Sequence, residues 1–169
     1  ATLTFSTQPF AIAESTTART AQLAGTGIYN ISAAIQNAPG VVAGAAGTFN
    51  YLGTGTLNIT GVGTWTGPAN FSGGTTNVSG AGVLGSTGLL TVNNGALLNL
   101  DNSGTNTPNR MGGRAVTLNG ASLSLTGNGS ASTTETTGNL TVGGGQTVIN
   151  LTNNGQNLTL AMGTLTINA

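Results

Sequence analysis

A period of about 25 residues, carrying a finer period of two, constrains this chain more than any other feature. Val92, Leu118, Val142 and Ile167 follow one another at spacings of 26, 24 and 25, and Leu100, Leu125 and Leu151 at 25 and 26. Around these positions apolar and polar residues alternate: Thr56-Leu57-Asn58-Ile59-Thr60, Ser122-Leu123-Ser124-Leu125-Thr126, Leu158-Thr159-Leu160 and Leu165-Thr166-Ile167. Alternation with period two marks a strand with one buried face. Runs of Asn and Gly, such as Asn93-Asn94-Gly95 and Asn153-Asn154-Gly155, separate the strands as turns.

Two strand sets recurring with one long period read as a coil that returns on itself. The expected fold is all-β: a right-handed parallel β-helix, or β-solenoid, with coils of about 25 residues. Coils rise by about 4.8 Å, so seven of them make a rod of roughly 30–35 Å. Leu, Val and Ile would form interior columns and Thr and Ser exterior ladders, with stacked Asn amides at the turns. An antiparallel sandwich would also alternate, but it does not require the long recurrence.

Residues 1–50 do not display the 24–26 spacing. Thr2-Leu3-Thr4-Phe5 reads as a first strand, Glu14 to Leu23, stopping at Gly25, allows a short helix, and Ile31 to Val42 is Ala-rich with one Pro. Terminal repeats of solenoids are commonly atypical. The chain therefore divides into an N-terminal cap or degenerate coils over 1–50 and a β-solenoid over 51–169.

The chemistry available is narrow. The 169 residues include six charged side chains, Glu14, Arg19, Asp101, Arg110, Arg114 and Glu135, with no Lys, His or Cys. Thr, Gly, Asn and Ser together supply 91 residues. Without His or Cys no zinc ligand set can be assembled. Without Lys, the Gly runs such as Gly143-Gly144-Gly145 are turns and not phosphate loops. No catalytic residue, metal site or cofactor is expected, and the chain does not read as an enzyme. Zero net charge offers no field for nucleic acid. No apolar run approaches the roughly 20 residues of a membrane-spanning helix, so no membrane insertion is expected. The chain opens on Ala1 without a basic and then apolar leader, which reads as a processed or partial chain.

From Gly55 onward the chain resembles the autotransporter-associated β-strand repeat of bacterial surface proteins. The residues that carry the resemblance are Gly55-Thr56-Leu57-Asn58-Ile59-Thr60-Gly61, then Gly63-Thr64-Trp65-Thr66-Gly67, then Gly73-Gly74-Thr75-Thr76-Asn77-Val78-Ser79-Gly80. Later copies keep the alternation and lose the aromatic step. The resemblance covers about two thirds of the chain and implies export, a right-handed parallel β-helix and a stalk-like or adhesive role. Secretion or display on the cell surface is the matching location.

A solenoid leaves unpaired strand edges at both ends, and proteins normally blunt such edges. Here the first strand (Thr2, Leu3, Thr4, Phe5) and the last (Thr164, Leu165, Thr166, Ile167) are both uncharged. These eight residues are the candidate assembly interface, through which copies would join head to tail into a fibre. The alternative is an adhesin or stalk segment that binds glycans. Its contact loop would be the stretch from Asp101 to Arg114, which lacks alternation and carries Asp101, Arg110 and Arg114. The plainer reading of that loop is an ion pair or a solvated excursion. Asp101 and Glu135 could form a carboxylate pair only if neighbouring coils brought them together. Ice binding is a third reading, resting on Thr2/Thr4, Thr64/Thr66, Thr105/Thr107 and Thr164/Thr166, which would have to stack on one face. Trp65, Tyr29, Tyr51, Phe49 and Phe71 read as fillers of core corners before sugar platforms. Eight Asn-X-Ser/Thr triplets, at Asn30, Asn58, Asn70, Asn77, Asn128, Asn139, Asn150 and Asn157, follow from an Asn- and Thr-rich alternating chain.

Overall fold

A computed structural model describes residues 1–14, 16–38, 45–85 and 87–168. The fold is a parallel β-solenoid of seven rungs, about six turns. One seven-stranded sheet stacks β1 (Thr2–Phe5), β4 (Ile28–Ile31), β7 (Thr56–Ile59), β9 (Thr75–Val78), β11 (Leu97–Asp101), β13 (Ser122–Thr126) and β16 (Val148–Thr152). The second stacks β3 (Thr20–Leu23), β6 (Thr48–Tyr51), β8 (Ala69–Phe71), β10 (Leu90–Asn93), β12 (Val116–Asn119), β15 (Leu140–Val142) and β18 (Leu165–Ile167). Between them runs a third wall. It is regular at β2 (Phe10–Ala11) with β5 (Ile35–Gln36) and at β14 (Thr133–Thr136) with β17 (Leu158–Ala161). In the middle it continues through single bridges, Ile35 to Gly63 and Val62 to Val83. Backbone bonds from Leu84 N to Arg110 O (2.7 Å) and from Asn109 N to Thr134 O (3.3 Å) carry it onward.

The two columns visible in the sequence are the register of the sheets. Val92 pairs with Leu118, Leu118 with Val142 and Val142 with Ile167. Leu100 pairs with Leu125, and Leu125 with Leu151. Register is this strict because a slip of one residue would turn every apolar side chain outward. Along the strands burial alternates as the pleat requires, as in Ser122–Thr126, where Leu123 and Leu125 are buried.

Coil length is not constant. Thr2 pairs with Ile28 and Ile28 with Thr56, coils of 26 and 28 residues, then Thr56 pairs with Thr75 after only 19. The spacing is present in residues 1–50. It escapes a search for Leu, Val and Ile because the columns there hold Phe5, Tyr29, Ala21, Phe49 and Tyr51. The helix allowed over Glu14 to Leu23 does not form. Its second half is β3, whose Thr-Ala-Gln-Leu alternation pairs with Thr48–Tyr51, and neighbouring strands outweigh a weak local preference. Of the Ala-rich stretch, residues 39–42 lie outside the described residues.

The Asn amides stack chiefly on the outer face of the strands, not at the turns. Asn58 Nδ2 donates to Asn30 Oδ1 (2.8 Å), Asn77 Nδ2 to Asn58 Oδ1 (2.9 Å) and Asn99 Nδ2 to Asn77 Oδ1 (3.2 Å). On the second sheet Asn70 donates to Asn50 at mid-strand, and Asn119 donates to Asn93 at the strand ends. The expected placement failed because mid-strand positions, unlike turns, superpose rung on rung at the spacing an amide can bridge. Every one of these donors points toward the lower-numbered rung.

Candidate functional sites: the open ends and the buried polar wall

The first and last rungs each pair on one side only, β1 with β4 and β18 with β15, so each presents a free strand edge. Their side chains differ. In the first rung Thr2, Leu3 and Thr4 are exposed, while Phe5 is half-buried, with its ring edge-on to Phe10 at 4.8 Å. Ile12 and Leu23 in the same coil are buried. A depression of about 340 Å³ lies at this end, lined by residues that include Ala1, Leu3, Ile28 and Tyr29. In the last rung the interior columns open directly to solvent: Leu151 is 48% exposed, Leu165 50% and Ile167 72%. Thr164 and Thr166 are exposed beside them.

The loop that joins β11 to β12 turns inward. Asp101 remains on the outer face of β11, half-buried, and accepts the backbone N–H of Ser103 (2.8 Å). Arg110 and Arg114 do not project. Arg110 is fully buried, and its guanidinium donates to the carbonyls of Gly82 (2.7 Å), Thr105 (2.9 Å) and Gly80 (3.0 Å) and, through Nε, to Asn102 Oδ1 (3.0 Å). It thereby fastens the loop to the preceding coil. Gly112 and Gly113 both take left-handed backbone (φ 68°), which reverses the chain between the two arginines.

Facing this loop, β14 turns Thr133, Glu135 and Thr137 inward. Glu135 lies at register with the half-buried Leu160. Burial raises its carboxyl from 4.5 to about 7. The Asn102 amide, the backbone N–H groups of Met111 and Arg110 and the charge of Arg110 only partly oppose that rise. Burial also lowers the Arg110 guanidinium, against the raising pull of Glu135 and Asp101. Asp101 faces out and Glu135 faces in, so the two carboxylates share no opening.

This polar wall was not legible as a site. Thr133, Glu135 and Thr137 share one phase of the alternation, the only signal available, but no hydrophobe in the run says which phase points inward. Of the five aromatic residues read as core fillers, Phe49, Tyr51, Trp65 and Phe71 are fully buried, while Tyr29 is half-buried against the core. The four Thr-X-Thr pairs stand on different walls. Single threonines do stack, Thr91, Thr117, Thr141 and Thr166, in one outward file. Of the Asn-X-Ser/Thr triplets, the amides of Asn58, Asn70 and Asn77 are committed as ladder donors.

Comparison with family models, with curated proteins and with solved structures returns no match.

Proposed function

We propose that the chain is a structural subunit whose last rung stacks on the first rung of another copy, building a secreted or surface-displayed fibre. The observation that carries this reading is the uncovered last rung, whose columns are those the first rung begins. Ile149 ends the column that starts at Leu3, and Leu151 the one that starts at Phe5. On the second sheet Leu165 continues the column of Ala21, and Ile167 that of Leu23. A head-to-tail joint would hydrogen-bond both free edges and bury these side chains, each worth about 1.5–3 kcal/mol when fully covered. It would also keep the single direction of the amide ladders. Near-zero net charge removes the repulsion that would otherwise oppose association. The resemblance to bacterial surface repeats supports export.

Sedimentation velocity and negative-stain microscopy of the 169-residue chain test the proposal. Rods that lengthen with concentration are expected. Ile167→Lys should return the protein to monomers, while Thr134→Lys, on the outer third wall, should leave the rods intact. A wild-type chain that stays monomeric at high concentration would overturn the proposal.

A further inference from the structure

The corner where the third wall meets the second sheet, between rungs three and five, holds a buried positive charge that no acidic side chain among the described residues balances. Arg114 is 2% exposed, and its guanidinium lies 5.3 Å from the centroid of the fully buried Trp65 ring. Nη2 makes one long bond, to Gly67 O at 3.4 Å. Nε and Nη1 are buried without an acceptor, and so is the indole Nε1 of Trp65. Space for the two side chains comes from rung four: a Cβ on Gly85 would lie 2.9 Å from the Trp65 ring and 1.9 Å from its carbonyl oxygen.

The other arginines show what is missing. Arg19 is paired with Glu14 at 3.0 Å on the surface. Arg110 is as buried as Arg114, but it spends its donors on three carbonyls and an amide, with Glu135 nearby. The three acidic side chains are thereby placed: Glu14 at Arg19, Asp101 on the outer face, and Glu135 beside Asn102 and Arg110. None is assigned to Arg114. Burial lowers that guanidinium to about 10, which leaves it charged at neutral pH. The ring of Trp65 attracts the cation through its face, but the N–H donors lie in the guanidinium plane and need acceptors there. An unpaired charge in a protein interior is strongly unfavourable.

We infer that this corner binds a small monatomic anion of the halide class, held by Arg114 Nε and Nη1 beside Trp65. Such an ion would supply the charge and the acceptors that Arg114 does not find among the described residues. Arg114 and Trp65 are both buried, so a small ion would disturb their surroundings less than a carboxylate or phosphate would.

Trp65 is the sole tryptophan of the chain and reports on its own corner. Iodide or bromide should be titrated against gluconate at constant ionic strength while Trp65 emission is followed. The expected result is saturable quenching, with acrylamide quenching low throughout. The melting temperature should rise by about 3–5 °C per tenfold of halide beyond the dissociation constant. Arg114→Met should abolish both responses, and Arg114→Lys should keep a weakened one. If Arg114→Met does not fold, the wild-type titration decides alone. Linear, non-saturating quenching with no halide dependence of melting would overturn the inference and leave the donors to water.

Discussion

The two halves of the rod fill the same cross-section in different ways. All seven aromatic side chains lie between Phe5 and Phe71. There Phe49 sits among Phe10 (6.0 Å), Trp65 (5.9 Å) and Phe71 (6.3 Å), mostly edge to face, an arrangement that adds to simple burial. From rung five onward the columns are aliphatic, and the third wall is filled by Asn102, Arg110, Asn128, Thr133 and Glu135. In the first coil Ile12 and Leu23 are buried while Leu3 is 46% exposed. In the last described rung Leu165 and Ile167 are exposed. Register is kept along the whole stack, whereas the cover of the columns differs between its first and last described rungs.

The sharpest test of that contrast compares a covered and an exposed position of one column. Phe49 and Leu165 occupy the same inward column, five rungs apart. Phe49→Ala should cost about 3–5 kcal/mol in urea unfolding. Leu165→Ala, measured in dilute solution, should cost about 1 kcal/mol or less because half of the side chain is already hydrated. Equal costs would break the contrast.

A smaller effect probes the polar filling. The folded Glu135 carboxyl titrates near 7 against 4.5 as its ordinary value, so its proton is bound more tightly in the folded chain. The corresponding stability is fully present below pH 4.5, falls as pH rises to about 7, and is flat above. Glu135→Gln should remove this slope and stabilise the protein at pH 8 by up to about 3 kcal/mol. A pH profile unchanged by Glu135→Gln would show that the carboxylate is better solvated than its surroundings imply.

The smallest effect concerns the outer ladder, which runs through Asn30, Asn58, Asn77 and Asn99 and stops at Ser124, in register between Asn99 and Asn150. Ser124→Asn should extend it and stabilise the protein by about 1 kcal/mol. A neutral or destabilising result would mean that the amide rows add little beyond strand pairing.

Much of the fold was legible because strand stacking imposes a fixed phase. Once Leu118 lies on Val92, alternation dictates the direction of every neighbour. The first two coils were obscured by a change of alphabet, with Phe, Tyr and Ala in columns that later hold Leu and Val. Of the candidate interface, the apolar, uncharged edges could be read directly, whereas the degree of cover could not. Phe5 looked as free as Ile167, yet Phe10 lies against it. The loop from Asp101 to Arg114 looked like a surface excursion because it lacks alternation, and nothing local says that its arginines, which ordinarily prefer water, turn inward.

The sequence by itself determined the coil, its register and its lack of charge, because these follow from a local alternation repeated at a fixed interval. Only the tertiary structure decided where the exceptions point. It drew Arg110 and Arg114 inward to carbonyls from earlier coils and buried Glu135 beside Asn102 and Arg110. Those outcomes depend on which groups from distant coils share a volume, and whether a buried polar atom finds a partner is settled in three dimensions.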